Sequence, residues 1–456
     1  MEDVEKNLKM IDATITKDND VIHKKTTNEL KTASLDMQLA LKIVETYHIL
    51  LVRDVENRNI IPYYYEQDKY IADKSYIKIR GFVKDEIASL FKFIFNGKSD
   101  DPCYYKKLSE YSVTKEDVNE YSYVGYINRL TNNVIRNIGD FHTLLKEETN
   151  FDIDPYQINV LNGILDIKTL NLLPHGHDKL IKNIANAKYL VSSIKIGESK
   201  KSLRINSNPY LFLKMISDAL YDRTLNDNEN QKIVESFIEI LASFLIGNNI
   251  YKQVFILIGL PNTGKSTLLN ILRKIFGSYS VTFNNSALMV SPRTNNDIRP
   301  DIIPLRGKRL LVGSESNKED KFDVALLKAL SGNDEISIRK PHKGDMVNFT
   351  LSGKILLATN YCPKFTNLDD TAFLNRLVLI DFNNIPRNMD LNLEQKIIEA
   401  ESDLILSFLA NKAHHISKKN EIFIHERFKA NKQRILISQN NSVALFWKDH
   451  IEPYEG

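Results

Sequence analysis

The residues best suited to chemistry in this chain form a phosphate-loop pattern at 259–266, which reads Gly-Leu-Pro-Asn-Thr-Gly-Lys-Ser. Such a loop wraps backbone amides around phosphate oxygens, and glycines at both ends allow the close approach. Lys265 would neutralise the β- and γ-phosphates, while the Ser266 hydroxyl would hold Mg²⁺. An apolar strand before the loop and an amphipathic helix after it are the expected context. The residues predicted to bind ATP are Gly259, Pro261, Asn262, Thr263, Gly264, Lys265, Ser266 and Thr267.

Three polar residues downstream lie next to apolar segments. Glu315 follows KRLLVGS, and a carboxylate there could hold Mg²⁺ and polarise the attacking water. Asn360 ends KILLATN and could orient that water against the γ-phosphate. Arg376 begins RLVLIDF and could act on the ATP of a neighbouring subunit. Taken singly, each is also compatible with an ordinary strand end, a turn or a surface arginine.

The composition limits what else the chain can be. Its 456 residues, 43% hydrophobic and 26% charged, suffice for about two to four ordinary globular domains. A formal net charge of +3 means that any nucleic-acid site must be a local basic patch. The two cysteines lack Cys-x-x-Cys spacing, and because the first 20 residues contain no apolar h-region, we expect no signal peptide. Because no apolar segment approaches the ~20 residues of a membrane span, we expect a cytoplasmic protein.

Apolar periodicity predicts the elements that must position these residues. Helices are predicted at 39–52, 82–96, 121–148, 208–247 with a polar break, and 394–416. Short strands are predicted within 60–79, and a hairpin at Asn162-Gly163, where the alternation of 158–177 turns back. Strands and helices alternate through 251–385. We therefore predict an α/β protein with these parts: a leader at 1–40, an α+β domain at 41–205, a helical collar at 206–250, a motor at 251–385 and a mostly helical tail at 386–456.

In order and spacing, residues 231–385 resemble superfamily 3 helicases of the poxvirus and satellite-phage primase-helicase type. The likeness runs through VFILIGLPNTGKSTLLNILRKIFGSYS, GKRLLVGSES, LLKALSGNDEISIRKPHK, KILLATNYCPKF and AFLNRLVLIDF. A weaker likeness to the family's upstream domain covers about 45–200. The resemblance implies a P-loop AAA+-like core in a homo-oligomeric, hexameric ring that passes DNA through its centre.

The resemblance also assigns roles to residues. It implies Lys265 and Ser266 on the nucleotide, Glu315 as the catalytic acid, Asn360 as the sensor and Arg376 as the arginine finger. Ser266 and Glu315 would be the protein ligands of Mg²⁺. One departure is Ser314, which stands where many relatives carry a first acid, so the metal shell would depend on Ser266 and water.

A cationic hairpin tip is the predicted DNA contact. The segment ISIRKPHKGDMVNF indicates two strands around a tip that carries Lys340, His342 and Lys343. Alone, such a tip is most often a solvated turn. In the resembling family it projects into the ring channel, where cations hold DNA phosphates without regard to base sequence.

The sequence therefore predicts an ATP-hydrolysing helicase that unwinds single-stranded and forked DNA substrates for a phage, virus or mobile element in a bacterial host. One alternative is an initiator that binds and melts an origin with limited unwinding. Others are a signalling or packaging ATPase and, with less support, a P-loop kinase. No acid cluster typical of a primase is present apart from Asp152-Ile153-Asp154, which we interpret as a loop, so a separate primase is expected. The ending at IEPYEG leaves room for a further DNA-binding domain.

Overall fold

A computed structural model describes most of the chain in two compact units, Met1–Asn150 and Phe151–Gly456. The described residues are 35–53, 60–96, 124–141, 145–147, 151–190, 208–290, 301–314, 321–332, 334–339, 346–367, 370–386 and 390–430. Most of the predicted leader and the last part of the predicted tail lie outside them. Among the described helices, none is both long and apolar enough to cross a lipid bilayer.

The first unit combines a small sheet with three helices. Its elements are α1 (Leu35–Thr46), β1 (Leu50–Arg53), β2 (Ile60–Glu66), β3 (Lys69–Ala72), α2 (Ile77–Asn96), α3 (Val124–Gly139) and β4 (Leu145–Glu147). The sheet has the order β3-β2-β1-β4, in which only β1 and β4 are parallel. The helix predicted at 39–52 is wrong in its second half, because Leu50–Arg53 pairs with β2. Likewise, the helix predicted at 121–148 ends at Gly139, before β4.

The second unit opens with a three-stranded antiparallel sheet and two helices. Its strands are β5 (Gln157–Val160), β6 (Gly163–Asp166) and β7 (Leu172–Leu173), followed by α4 (Tyr210–Leu220) and α5 (Asp227–Ser243). Val160 pairs with Gly163, so the predicted hairpin is present, but its two loop residues are Leu161 and Asn162, one position earlier than the predicted Asn162-Gly163 turn. The predicted polar break also holds, since the Asn226 side chain caps α5 by accepting from the Glu229 amide at 2.9 Å.

A five-stranded parallel sheet forms the centre of the second unit. The elements from here on are β8 (Val254–Ile258), α6 (Lys265–Phe276), β9 (Ser280–Asn284), β10 (Leu310–Ser314), β11 (Lys321–Phe322), α7 (Val324–Ser331), β12 (Glu335–Arg339), β13 (Met346–Thr350), β14 (Lys354–Thr359), β15 (Lys364–Phe365), α8 (Thr371–Arg376), β16 (Leu377–Asp381) and α9 (Leu393–Lys419). The sheet order is β16-β8-β14-β10-β9, with every neighbour parallel. The chain is therefore a mixed α/β protein, as predicted.

The hairpin segment 151–190 shares its apolar core with the parallel sheet. Ile158, Leu165 and Tyr189 are buried in the same cluster as Leu268 of α6 and Leu310 of β10. The structure consequently divides at 150/151, whereas the sequence places a domain boundary at 205/206. Periodicity identified the strands of this segment but not the core into which they pack.

A buried polar network reinforces that packing. The Arg309 guanidinium donates to the carbonyl oxygens of Gln157 and Leu245, and lies over the Tyr279 ring with 4.8 Å to its centroid. The Tyr279 hydroxyl accepts from the Asn159 amide at 3.1 Å and lies 3.5 Å from an Asp152 carboxylate oxygen. Burial raises the pKa of both Asp152 and Tyr279 above their ordinary values. Asp152, predicted to lie in a loop, thus helps to attach the segment 151–190 to the parallel sheet.

Candidate nucleotide-binding site

The candidate loop follows an entirely apolar strand. β8 reads VFILI and is central in the sheet, so its end is held rigidly between β14 and β16. Gly259 comes next, and a Cβ at this position would lie 1.9 Å from the Phe382 carbonyl oxygen. Gly264 has φ +89°, a conformation that side chains disfavour, and the helix α6 begins at the following residue. Both glycines are therefore required by the backbone path.

Lys265 is folded back onto the loop. Its Nζ donates to the carbonyl oxygens of Gly259 at 2.8 Å and Leu260 at 2.7 Å, and to Thr263 Oγ1 at 3.2 Å. Only 6% of the residue is exposed, and this burial lowers the pKa of the ammonium. An anionic phosphate would provide the charge partner that these neutral acceptors do not, so a bound nucleotide would raise this pKa.

The remaining loop residues shape an anion site at the start of α6. Asn262 has φ +63°, and the buried Thr263 hydroxyl donates to the Leu260 carbonyl at 2.9 Å, which closes the loop. Pro261 is exposed, as is Ser266 in the first turn of α6, with Thr267 half-buried behind it. The first amides of a helix have no intrahelical acceptor and favour negative charge. The Ser266 hydroxyl is thus accessible at the position predicted to hold Mg²⁺.

Asn360 lies beside the loop at the carboxyl edge of the sheet. It follows β14 directly and is exposed, and the Gly259 amide donates to the preceding carbonyl, that of Thr359, at 3.3 Å. Strand pairing places Thr359 opposite Ile258, the last residue before the loop. The structure therefore brings Asn360 to the same edge as Lys265 and Ser266.

One acidic residue at this edge was missed by sequence reasoning. Asp381 ends β16, is only 5% exposed and pairs with Ile258 across the strands. The signal was available, because an acid at the end of RLVLID has the same placement as Glu315 after LLVGS.

Arg376 lies at the opposite edge of the same sheet. It ends α8, and the next residue, Leu377, pairs with Val254 at the start of β8. The four residue steps along β8 from Val254 to Ile258 separate the two edges by about 13 Å, at about 3.3 Å per step. Arg376 Nη1 donates to the Lys328 carbonyl oxygen at 2.7 Å and to Ser331 Oγ at 3.3 Å. The structure thus does not bring Arg376 to its own chain's loop.

Four predicted residues lie outside the described part of the chain: Glu315, Lys340, His342 and Lys343. Their flanking elements are described. β10 ends at Ser314, paired with Ala358 of β14, so its carboxyl end reaches the loop-bearing edge. β12 and β13 pair antiparallel from Glu335↔Thr350 to Arg339↔Met346, which confirms the two strands predicted on either side of the cationic tip.

Two family models match separate parts of the chain. Residues 109–239 match the family described as D5 N terminal like. Residues 257–376 match a family of unknown function, DUF5906, and this span begins within β8 and ends at Arg376. It therefore contains the loop and every residue that the sequence singled out as catalytic.

Similar proteins include two viral ones. "Putative helicase L207/L206" of Acanthamoeba polyphaga mimivirus is 25% identical over 255 residues, which are 56% of this chain and 24% of that protein. "Putative helicase V13" of Sputnik virophage is 26% identical over 149 residues, 32% of this chain and 19% of that protein. The chain thus spans about a quarter or less of these relatives. With the D5 N terminal like match, they support a relationship to viral helicases.

The chain is also similar to a GTPase in sequence and to a solved structure in fold. A tRNA modification GTPase, MnmE of Francisella tularensis subsp. novicida, is 25% identical over 274 residues, 56% of this chain and 54% of that protein. Among solved structures, the apo A form of the NrS-1 C-terminal region matches with a TM-score of 0.48 at 13% identity, over 90% of this chain and 80% of that chain.

Proposed function

We propose that this chain is an ATP-dependent DNA helicase of the superfamily 3 type. Its P-loop AAA+-like motor would work as a homo-oligomeric ring of six subunits. The observation that carries the proposal is that a lysine and an arginine, each suited to bind phosphate, lie at opposite edges of one sheet. Lys265 lies at the carboxyl edge and Arg376 at the amino edge. The relationship to viral helicases supports DNA as the polymer on which the motor acts.

The chemistry proposed for the carboxyl edge is hydrolysis of ATP to ADP and phosphate. The amides at the start of α6 and the Lys265 ammonium would hold the β- and γ-phosphates. Mg²⁺ in such sites is bound by a few protein oxygens together with phosphate oxygens and water, for which Ser266 and Glu315 are the candidates. Glu315 would polarise the attacking water and Asn360 would orient it.

The separation of the two charged groups supports the proposed ring. An arginine about 13 Å from its own loop cannot neutralise charge on the nucleotide that this loop binds. A head-to-tail contact that brings the amino edge of one subunit to the carboxyl edge of the next would complete each site, and such contacts close into rings. The cationic tip between β12 and β13, with Lys340, His342 and Lys343, would then line the channel and hold DNA phosphates.

The first experiment measures hydrolysis of ATP and GTP with and without single-stranded or forked DNA, and fork unwinding in the same reactions. We expect DNA to stimulate ATP hydrolysis and forks to open. Lys265→Ala should lower both activities by about 100-fold or more, because it removes a charge from the phosphate site. Lys274→Ala, an exposed lysine on the same helix, is the matched control and should retain both. Hydrolysis that ignores DNA, or that prefers GTP, with closed forks would contradict the proposal.

A mixing experiment tests the shared site. Arg376→Gln removes the charge but retains a side-chain N–H that can donate to the Lys328 carbonyl, so the fold should survive. Lys265→Ala and Arg376→Gln subunits should each be inactive alone. Mixed in equal amounts before assembly, they should regain activity, since about one interface in four pairs an intact loop with an intact arginine. No recovery in mixed assemblies would show that the site is not shared.

A further inference from the structure

The arginine proposed to act across the subunit interface lies on a helix that is fixed by contacts at both ends and in its middle. It ends α8, a helix of six residues that is attached to α7 at both ends. At the first end, the Asp370 side chain caps α8 by accepting from the Phe373 amide at 2.9 Å, and also binds Lys328 Nζ at 2.7 Å. At the last end, Arg376 returns to the same turn of α7.

The contacts at the last end occupy one nitrogen of the guanidinium. Nη1 donates to the Lys328 carbonyl oxygen and to Ser331 Oγ, and Ser331 is completely buried. Within the described residues, Nε and Nη2 of Arg376 make no hydrogen bond. A guanidinium has five donors in a planar fork, so fixing one nitrogen sets the direction of the other two.

The middle of α8 is fixed as well. Phe373 is fully buried, and its ring lies 5.1 Å from the ring of Phe365 in β15, which in turn lies 5.8 Å from that of Phe322 in β11. With the packing of Phe373 and the contacts at both ends, α8 has little freedom to rotate. A lost hydrogen bond at Arg376 would therefore free the side chain rather than unfold the helix.

We propose that Ser331 is a positioning residue for the shared catalytic site: its hydroxyl, with the Lys328 carbonyl, orients Arg376 so that Nε and Nη2 face the nucleotide of the neighbouring subunit. This inference rests on the proposed function. Preoriented donors stabilise developing charge without reorganising during the reaction, whereas a freely rotating arginine must first be ordered. Ser331 itself does not contact the nucleotide.

The test is Ser331→Ala, with Ser243→Ala as the matched control. Both serines are completely buried near helix ends, but the Ser243 hydroxyl donates only within its own helix, to the Ile240 carbonyl at 2.7 Å. We expect Ser331→Ala to lower kcat for ATP about three- to tenfold with little change in KM, since the loop is intact. Ser243→Ala should leave kcat per folded subunit unchanged.

Mixing assigns the defect to one side of the interface. Ser331→Ala subunits should be rescued by Lys265→Ala subunits, which supply an intact Arg376 and Ser331, but not by Arg376→Gln subunits. The inference would be overturned if both variants rescued Ser331→Ala equally, if neither rescued it, or if Ser331→Ala alone had an unchanged kcat. If the Lys265→Ala and Arg376→Gln pair itself fails to recover activity, the proposed shared site is wrong instead.

Discussion

At the level of single residues, Gly259 is the loop position with the least space for a side chain. The amide of Gly259 donates to the Thr359 carbonyl, and the Phe382 amide donates to the carbonyl of Ile258, just before the loop, at 2.7 Å. The backbone immediately after β16 therefore passes directly over the first loop residue. Gly264 differs, because a Cβ there would meet no atom within 4 Å and only its φ of +89° requires glycine.

This difference predicts unequal effects of two alanine substitutions. Gly259→Ala would place a methyl group against the Phe382 carbonyl and should lower the free energy of unfolding by about 3 kcal/mol or more. Gly264→Ala should lower it by about 1–2 kcal/mol, the cost of a left-handed alanine. Urea unfolding of the two variants beside the natural chain measures both. Equal losses would show that the approach of Phe382 does not constrain the loop.

At the level of elements, the C-terminal end of α5 is held by a lysine from the start of β14. Lys354 is buried, and its Nζ donates to the carbonyl oxygens of Ser243 at 2.8 Å, Ile246 at 2.9 Å and Asn248 at 2.7 Å. Cations favour helix C-termini, where carbonyls lack intrahelical donors. Burial, with a smaller effect of the nearby Arg309, nevertheless lowers the pKa of Lys354 to about 7.

This lowered pKa predicts a specific dependence of stability on pH. Between pH 7 and 10.5 the unfolded chain carries a proton on Lys354 that the folded chain lacks, and the neutral amine of the folded chain can donate to only two of the three carbonyl oxygens. The stability contributed by this group is complete above pH 10.5 and is lost as the pH falls to 7. The difference in unfolding free energy between the natural chain and Lys354→Met should rise by about 1.4 kcal/mol per pH unit inside that window. Urea unfolding at pH 7, 8 and 9 measures it. A constant difference would mean that Lys354 stays charged.

Several elements could be predicted because their sequences carry strong local signals. The strand β8, the loop and the helix α6 combine an apolar run, two glycines and helical periodicity, and the alternation of 158–177 around Asn162 indicated the hairpin, though not the exact position of its turn. The strand Ser280–Asn284 was not predicted. It is an edge strand with mostly exposed or half-buried side chains, so it lacks the apolar alternation by which strands are found.

Other features depend on topology, which one sequence does not reveal. Asn360 directly follows β14 and Arg376 directly precedes β16, but nothing in the local sequence indicates which strands are neighbours. The position of Arg376 at the amino edge follows only from the parallel pairing of β16 with β8. Its contact with Ser331, 45 residues earlier in the chain, likewise could not be read from spacing.

At the level of the whole molecule, residues 151–190 form part of the unit that carries the candidate site. Beyond the shared apolar core, hydrogen bonds attach this segment to α6 and its following turn. The Asn186 amide donates to the Ile275 carbonyl at 2.9 Å, and the Ile184 amide donates to Ser278 Oγ at 2.7 Å. At its end, the Leu190 amide donates to Ser407 Oγ of α9 at 2.8 Å.

These contacts predict where the chain can be cut. A fragment of residues 151–456 should unfold cooperatively and bind ATP, because its core is complete. A fragment of residues 206–456, which follows the sequence-predicted boundary, should not. It lacks five large buried side chains of the shared core: Ile158, Val160, Leu165, Ile167 and Tyr189. At roughly 1.5–3 kcal/mol each, their loss is comparable to the 5–15 kcal/mol that stabilises a typical domain.

Urea unfolding, followed by circular dichroism, and binding of a fluorescent ATP analogue distinguish the two fragments. The shorter fragment also leaves Arg309 without its acceptor at Gln157, so a buried guanidinium loses a hydrogen bond that no neighbour replaces. Arg309→Met in the full-length chain removes the buried charge but keeps the hairpin. It therefore separates the cost of the lost hydrogen bond from the cost of the lost apolar contacts. Cooperative unfolding of residues 206–456, with ATP binding like that of residues 151–456, would show that the hairpin segment is an accessory to the motor and not a part of its core.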